Sequence, residues 1–300
     1  MGRRTPQTGT LAGLPFLLTG PPDAPPLALL PGLSPEHAIG AGPFARAELE
    51  LAHAFADRFR VTWLSRRPGL GSRNGDGAAP TMAAIATEHA TALREAFDAP
   101  VDVLGISTGG SIALQLAADH PGVVRRLVLV SAAARLGAVG RAEQRAVADL
   151  VAAGDARGAF ARFLADLVPE PLPWADGRGA VVHARLAALA RPPLAAAGWA
   201  LGPLLWPQAE LRDMAALIAA EDAFDVRERL GDVRAPTLVV AGGRDPYYDA
   251  GAFEQVARGV PDGRLVRFAR RGHGTVAADP RFIPAVARFL LASDDTRSGS

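Results

Sequence analysis

One stretch constrains this chain more than any other: Val101-Asp102-Val103-Leu104-Gly105-Ile106-Ser107-Thr108-Gly109-Gly110. Its apolar, partly β-branched run predicts a buried strand. The run ends at a serine with a glycine two positions away on each side. Helical spacing follows at once, with Ile112, Ala113, Leu116 and Ala117 on one face. A strand, a tight turn and a helix with Ser107 at the apex is the setting in which Gly-x-Ser-x-Gly carries chemistry. At Gly105 and Gly109 a side chain is expected to collide across so sharp a turn. The serine hydroxyl then projects outward, beside the free N–H groups that open a helix. Taken alone, the stretch also admits the lesser reading of a Ser/Gly-rich loop without chemistry. The remainder of the chain decides between these readings.

The pattern around the stretch is an alternation of strands and helices. Leu11 to Thr19 predicts one or two short strands, and Leu27 to Leu30 a buried one that stops at Pro31-Gly32-Leu33-Ser34. A helix is predicted over Ala45–Ala56, a strand over Phe59–Leu64, a helix over Met82–Phe97 and a strand over Val124–Val130. The alternation ceases after Ala133. Residues 138–230 show no strand pattern and read as Ala- and Leu-rich helices broken by glycine and proline. Strand spacing resumes at Thr237–Ala241, followed by a helix over Ala252–Val260, a strand over Arg264–Phe268 and a terminal helix over Ile283–Leu291. The expected fold class is α/β, with a mostly parallel sheet covered by helices on both faces. The expected division is a core of residues 1–137 and 231–300 and a helical cap of residues 138–230.

A serine hydroxyl is a weak nucleophile at neutral pH and needs a base, usually a histidine oriented by a carboxylate. Of six histidines, His37, His53, His89, His120 and His183 lie in or beside predicted helices. His273 lies in Arg271-Gly272-His273-Gly274-Thr275, just past a strand, with glycines on both sides. Asp245 follows the strand Thr237–Ala241 through Gly242-Gly243-Arg244. Its competing role is an Asx turn or a helix cap. The rival acids Asp225, Asp232 and Asp249 do not directly follow a strand. In open α/β sheets, groups beyond the carboxyl ends of strands converge on one site.

The order Ser107, Asp245, His273 is that of the α/β-hydrolases, and the chain resembles that superfamily in its capped esterase, lipase, peptidase and peroxidase-like branch. The resemblance rests on Gly105-x-Ser107-x-Gly109, Gly242-x-x-Asp245 and Gly272-His273-Gly274. It also rests on Arg67-Pro68-Gly69-Leu70-Gly71-Ser72, which is similar to the glycine-rich loop the family carries after its fourth strand. It implies Ser107 as nucleophile, His273 as base and then acid, Asp245 as its orienter, and an oxyanion hole made by the N–H groups of Leu33 and Thr108. The chain departs from the family pattern twice. Pro31-Gly32 stands where His-Gly is common, and Ser65-Arg66 stands where the later loop often starts with aspartate, expected to be a structural change. Haloalkane and epoxide chemistry is disfavoured, because those branches place aspartate at the position of Ser107.

The cap's inner face is expected to set substrate choice, with Phe160, Phe163, Trp174, Trp199 and Trp206 on offer for an apolar pocket. Acids there such as Glu170 and Glu210 are expected to face solvent. The expected function is cleavage of a small, apolar carboxylic ester or related acyl substrate through an acyl-enzyme. The alternatives are amide or aminopeptidase cleavage, C–C hydrolysis, acyl transfer, cofactor-free peroxidase activity, or a ligand-binding receptor with little turnover. No metal or organic cofactor is expected. A net charge of +1 with scattered arginines offers no footprint for nucleic acid. The absence of cysteine removes disulfides and thiolate chemistry. No signal peptide or membrane span is read, so a cytoplasmic location is expected. The oligomeric state is not written in the sequence.

Overall fold

The computed structural model describes residues 6–35, 37, 43–72, 80–166, 193, 196–201 and 208–292. Eight strands form one sheet in the order β1-β2-β4-β3-β5-β6-β7-β8. They are β1 (Gln7–Leu11), β2 (Leu14–Thr19), β3 (Pro26–Leu30), β4 (Arg60–Leu64), β5 (Val101–Ile106), β6 (Val124–Val130), β7 (Thr237–Gly242) and β8 (Gly263–Phe268). The hairpin β1–β2 joins the sheet antiparallel to β4, and every pairing from β4 through β8 is parallel. Residues 11–19 thus contribute to two strands, the first of which begins earlier than the apolar pattern does.

Parallel strands need crossovers, and helices supply them. α1 (Pro43–Phe55) follows β3, α2 (Met82–Ala96) follows β4, and α3 (Thr108–Asp119) follows β5. Thr81 caps α2, its hydroxyl accepting from the Ala84 N–H at 3.1 Å. Between β6 and β7 lie α4 (Ala138–Ala152), α5 (Ala156–Asp166), α6 (Gln208–Asp222) and a 3₁₀ turn at Arg227–Asp232, with no strand among the described residues. α7 (Ala252–Gly259) and α8 (Phe282–Leu290) complete the set.

Successive strand residues divide between the two faces of the sheet, as pleating requires. Leu27, Leu29, Leu104, Val128, Val130, Leu238 and Val240 pack with α1 and α8. Ala28, Leu30, Val103, Leu127, Leu129 and Val239 pack with α2, α3 and α7. Both faces are therefore covered, and the central strands read as continuous apolar runs for that reason. A third apolar cluster lies within the segment between β6 and β7, where Val147, Phe160 and Phe163 meet Leu211, Met214 and Ile218. No helix among the described residues is long and apolar enough to cross a membrane.

The sheet places the site. β3 has β4 on one side and β5 on the other, so the chain reverses its direction of growth there. Ligands in open α/β sheets bind beyond the carboxyl ends of strands at such a switch point. Leu33 follows β3 and Ser107 follows β5, one on each side of it.

Candidate active site

The turn after β5 is as sharp as the sequence predicts. Ser107 sits at φ 51°, ψ −122°, a conformation L-residues rarely adopt. A Cβ on Gly105 would lie 2.4 Å from the Gly109 carbonyl oxygen, and one on Gly109 would lie 2.2 Å from that of Leu30. Neither approach is possible with a side chain, so both glycines are required by the turn. α3 closes on the turn through Gly110 and Ser111, whose N–H groups donate to the Ser107 carbonyl at 2.7 and 3.1 Å.

The three predicted side chains meet. Ser107 Oγ lies 2.8 Å from His273 Nε2, and His273 Nδ1 lies 2.9 Å from Asp245 Oδ2. Asp245 follows β7, and its side chain is fully buried. Gly242 lets this turn approach the histidine loop, since a Cβ there would stand 2.4 Å from the Arg271 carbonyl. The Asx turn is present as well: Asp245 Oδ1 accepts from the Tyr247 N–H at 3.0 Å. One carboxylate oxygen thus fixes the loop and the other faces the imidazole. The rival acids are occupied elsewhere, Asp225 by Arg227, Asp232 by Arg229 and Asp249 by Arg135.

Two contacts that sequence reading missed hold His273, and a third holds its loop. The Ser131 hydroxyl at the end of β6 donates to the His273 carbonyl at 3.0 Å. The Tyr247 ring stacks on the imidazole with centroids 4.4 Å apart and planes 26° from parallel. Thr275 Oγ1 accepts from the Gly272 N–H at 2.9 Å. The tip of β6 contributes no acid but does contribute this hydroxyl.

Leu33 and Thr108 flank the serine. A Cβ on Gly32 would stand 3.5 Å from the Ser107 Cβ, so the loop after β3 runs directly beside the serine. The Leu33 side chain packs both on the main core and on the apolar cluster of α4, α5 and α6. The Thr108 hydroxyl donates to Glu221 Oε2 at 2.7 Å.

Of the acids expected to face solvent, Glu170 and the Glu210 side chain lie outside the described residues, but two other acids of α6 are buried. Glu221 accepts from Thr108 and from Ser111, each at 2.7 Å, and from Gln144 at 3.0 Å. Asp213 accepts from the N–H groups of Gly69 and Gly71, each at 2.6 Å, and stands 2.9 Å from His37 Nε2. Burial, aided by the Arg66 charge, lowers the pKa of His37, while Asp213 opposes the shift. His37 is therefore a loop residue tied to α6, where a place in or beside a helix was expected. The signal for these acids was available: Asp213, Leu217 and Glu221 recur at four-residue spacing on the apolar face of α6. Glu221 also lies at the first turn of α3, where the helix dipole favours an anion.

Of the aromatic residues offered for a pocket, Phe160 and Phe163 are buried in the third cluster. Trp199 is 53% exposed, with the Arg157 guanidinium 4.6 Å from its ring centroid. Trp174 and Trp206 lie outside the described residues, as does His183. No group of three or more His, Asp or Glu among the described residues is arranged to hold a metal ion.

A strained serine in hydrogen-bond reach of an imidazole, which itself reaches a buried carboxylate, defines a class of hydrolytic sites on this fold. The sequence matches the family model of the alpha/beta hydrolase fold over residues 25–277, and the chain belongs to that family. It is 31% identical over 248 residues to a pimeloyl-acyl-carrier-protein methyl ester esterase of Neisseria meningitidis serogroup C, covering 80% of this chain and 88% of that protein. It is 32% identical over 277 residues to polyketide synthase ThaQ of Burkholderia thailandensis, covering 89% of this chain but only 12% of the synthase. The enol-lactonase of Burkholderia xenovorans has the same fold, with a TM-score of 0.66 at 18% identity over 95% of this chain and all of that one. The chain is thus a member of the α/β-hydrolase family with esterases among its relatives.

Proposed function

We propose that this protein is a serine hydrolase that cleaves carboxylic esters of apolar acyl groups through an acyl-enzyme. The observation that carries the reading is the continuous relay from Ser107 Oγ to His273 Nε2 at 2.8 Å and from His273 Nδ1 to Asp245 Oδ2 at 2.9 Å. Asp245 accepts a hydrogen bond from the Nδ1–H, which leaves the Nε2 lone pair facing the serine. Ser107 attacks the ester carbonyl carbon while Nε2 takes its proton. The resulting oxyanion accepts from the N–H groups of Leu33 and Thr108. The C–O bond to the alcohol then breaks, and the alcohol leaves with the proton held on Nε2. Water, deprotonated by the same nitrogen, attacks the acyl-enzyme; the acyl–Oγ bond breaks, Nε2 returns the proton to Ser107 and the acid leaves.

Residues 138–230 are read as the cap over this site. Leu33 joins the oxyanion loop to the apolar cluster of α4, α5 and α6. That contact favours an acyl chain running from Ser107 toward these helices. The methyl ester esterase relative favours a second reading, in which the acyl chain is carried on an acyl-carrier protein.

The first test is labelling by a fluorophosphonate, which is expected to mark wild type at Ser107 and to leave Ser107→Ala and His273→Ala unmarked. Aryl esters graded in acyl length, with a peptide arylamide, a peroxide assay and a carrier-bound methyl ester alongside, then separate the reactions. A wild-type protein that neither labels nor turns over any of these is a binding protein on a hydrolase fold.

A further inference from the structure

The two positions where the chain departs from the family pattern are in contact. The Arg66 side chain enters the interior at the end of β4, and the residue is 1% exposed. Its Nη1 donates to the Gly32 carbonyl at 2.9 Å and reaches the Pro31 carbonyl at 3.4 Å. Its Nη2 donates to the Ser34 carbonyl at 3.0 Å. One buried guanidinium thus gathers three carbonyls of the loop that follows β3.

The Gly32 carbonyl has a particular partner. It belongs to the same peptide unit as the Leu33 N–H. That unit is planar and trans, so its C=O and N–H point in opposite directions. A donor fixed on the oxygen therefore fixes the direction of the hydrogen. With Arg66 on one side of the peptide, the Leu33 N–H is aimed away from the guanidinium. Gly32 itself lies against Ser107. A cation on the carbonyl oxygen also polarises the peptide and makes its N–H a stronger donor, an effect enlarged in a low-dielectric interior. Arginine is suited to this place, because its planar fork spans several acceptors and it stays charged when buried.

We propose that Arg66 is the positioning residue of the oxyanion hole, orienting and polarising the Leu33 N–H through the Gly32 carbonyl. The proposal rests on the serine-hydrolase reading of Ser107. It replaces a bare structural role for the Ser65-Arg66 departure with a function that Pro31, lacking a side-chain donor and a backbone N–H, cannot supply.

The test compares wild type, Arg66→Met, Arg66→Lys and the surface control Arg67→Met on an aryl ester, and measures the affinity of an alkyl boronic acid, which becomes a tetrahedral anion on Ser107. The expected result for Arg66→Met is a fall in kcat on the order of 10²-fold, the scale of losing one oxyanion donor. KM is expected to stay within about threefold, and boronate affinity to fall by a factor similar to kcat. Arg66→Lys, which keeps a cation but not the fork, recovers only part of the loss, and it decides the matter if the methionine variant is too unstable to purify. Arg67→Met behaves as wild type. Unchanged kcat in either Arg66 variant, or lost activity with boronate affinity intact, overturns the proposal. A wild-type protein that turns over no ester and takes no fluorophosphonate overturns the hydrolase reading itself, and this proposal with it.

Discussion

The two sides of the site are held by different forces. On one side, at the ends of β5, β7 and β8, three polar side chains touch one another in sequence, and Gly105, Gly109 and Gly242 let their loops approach closely. On the other side, the segments after β3, β4 and β5 are gripped from behind by buried charges: Arg66 on the carbonyls of Pro31, Gly32 and Ser34, Asp213 on the N–H groups of Gly69 and Gly71, Glu221 on the hydroxyls of Thr108 and Ser111. The first side contains the groups proposed to react. The second contains groups that hold the surrounding segments, with Arg66 proposed to aim a backbone donor. Removing a reacting group should therefore remove turnover and leave the fold intact, whereas removing a gripping charge should cost both.

The largest effect tests the first side. Ser107→Ala is expected to lower kcat by about 10⁵–10⁶-fold, the range for loss of a serine nucleophile, with unfolding little changed because alanine keeps a Cβ and with it the strain at φ 51°. Asp245→Asn comes next, at about 10⁴-fold. The amide keeps the Asx turn to Tyr247 through its oxygen but presents the wrong partner to Nδ1 when its NH₂ faces the ring. If Asp245→Asn retained full activity, the carboxylate would be only a turn residue, and the contrast between the two sides would fail.

The contrast also marks what the sequence made legible. Strand order apart, the alternation of elements was readable because central parallel strands are apolar throughout and helices repeat near four residues. Ser107, Asp245 and His273 were readable because nucleophilic chemistry restricts residue type, and because each sits directly past a strand between glycines or just after them. Nothing comparable marks Arg66 or Glu221. An arginine reads as surface until the fold buries it, and its carbonyl partners carry no side-chain signature. The pairing of Arg66 with Gly32 spans 34 residues and that of Glu221 with Thr108 spans 113. Local patterns do not report such separations. Asp213 and Glu221 were visible only as acids on an apolar stripe, which does not say what they bind.

A smaller effect tests the second side. Glu221→Leu leaves the Thr108 and Ser111 hydroxyls and the Gln144 amide without their common acceptor. Each buried orphan costs about 1–3 kcal/mol, offset by no longer burying a charge. The net expectation is a loss of about 2–4 kcal/mol in urea unfolding, with a reduced kcat from displacement of Thr108. Glu221→Gln, which keeps one acceptor oxygen, should lie between. Equal stability of all three proteins would show that the carboxylate grips nothing.

The smallest effect separates charge from burial on the same side. His89 of α2 is 1% exposed and its Nδ1 bonds the Ile85 carbonyl at 2.8 Å, so Nδ1 carries the hydrogen of a neutral ring. Burial, reinforced by the nearby Arg66 charge, lowers its pKa from 6.5 to about 4. The unfolded chain therefore binds a proton below pH 6.5 that the folded chain refuses until about pH 4. Stability from this group is complete above that window and is lost as the pH falls through it, at up to about 1.4 kcal/mol per pH unit. Urea midpoints of wild type and His89→Leu, measured from pH 7 down to pH 4, should diverge with that slope, the wild type falling faster. Parallel profiles would mean that His89 takes up its proton in the folded state. The interior beside Arg66 would then tolerate a second cation, and it would not be the dry setting in which one guanidinium can govern the Leu33 peptide.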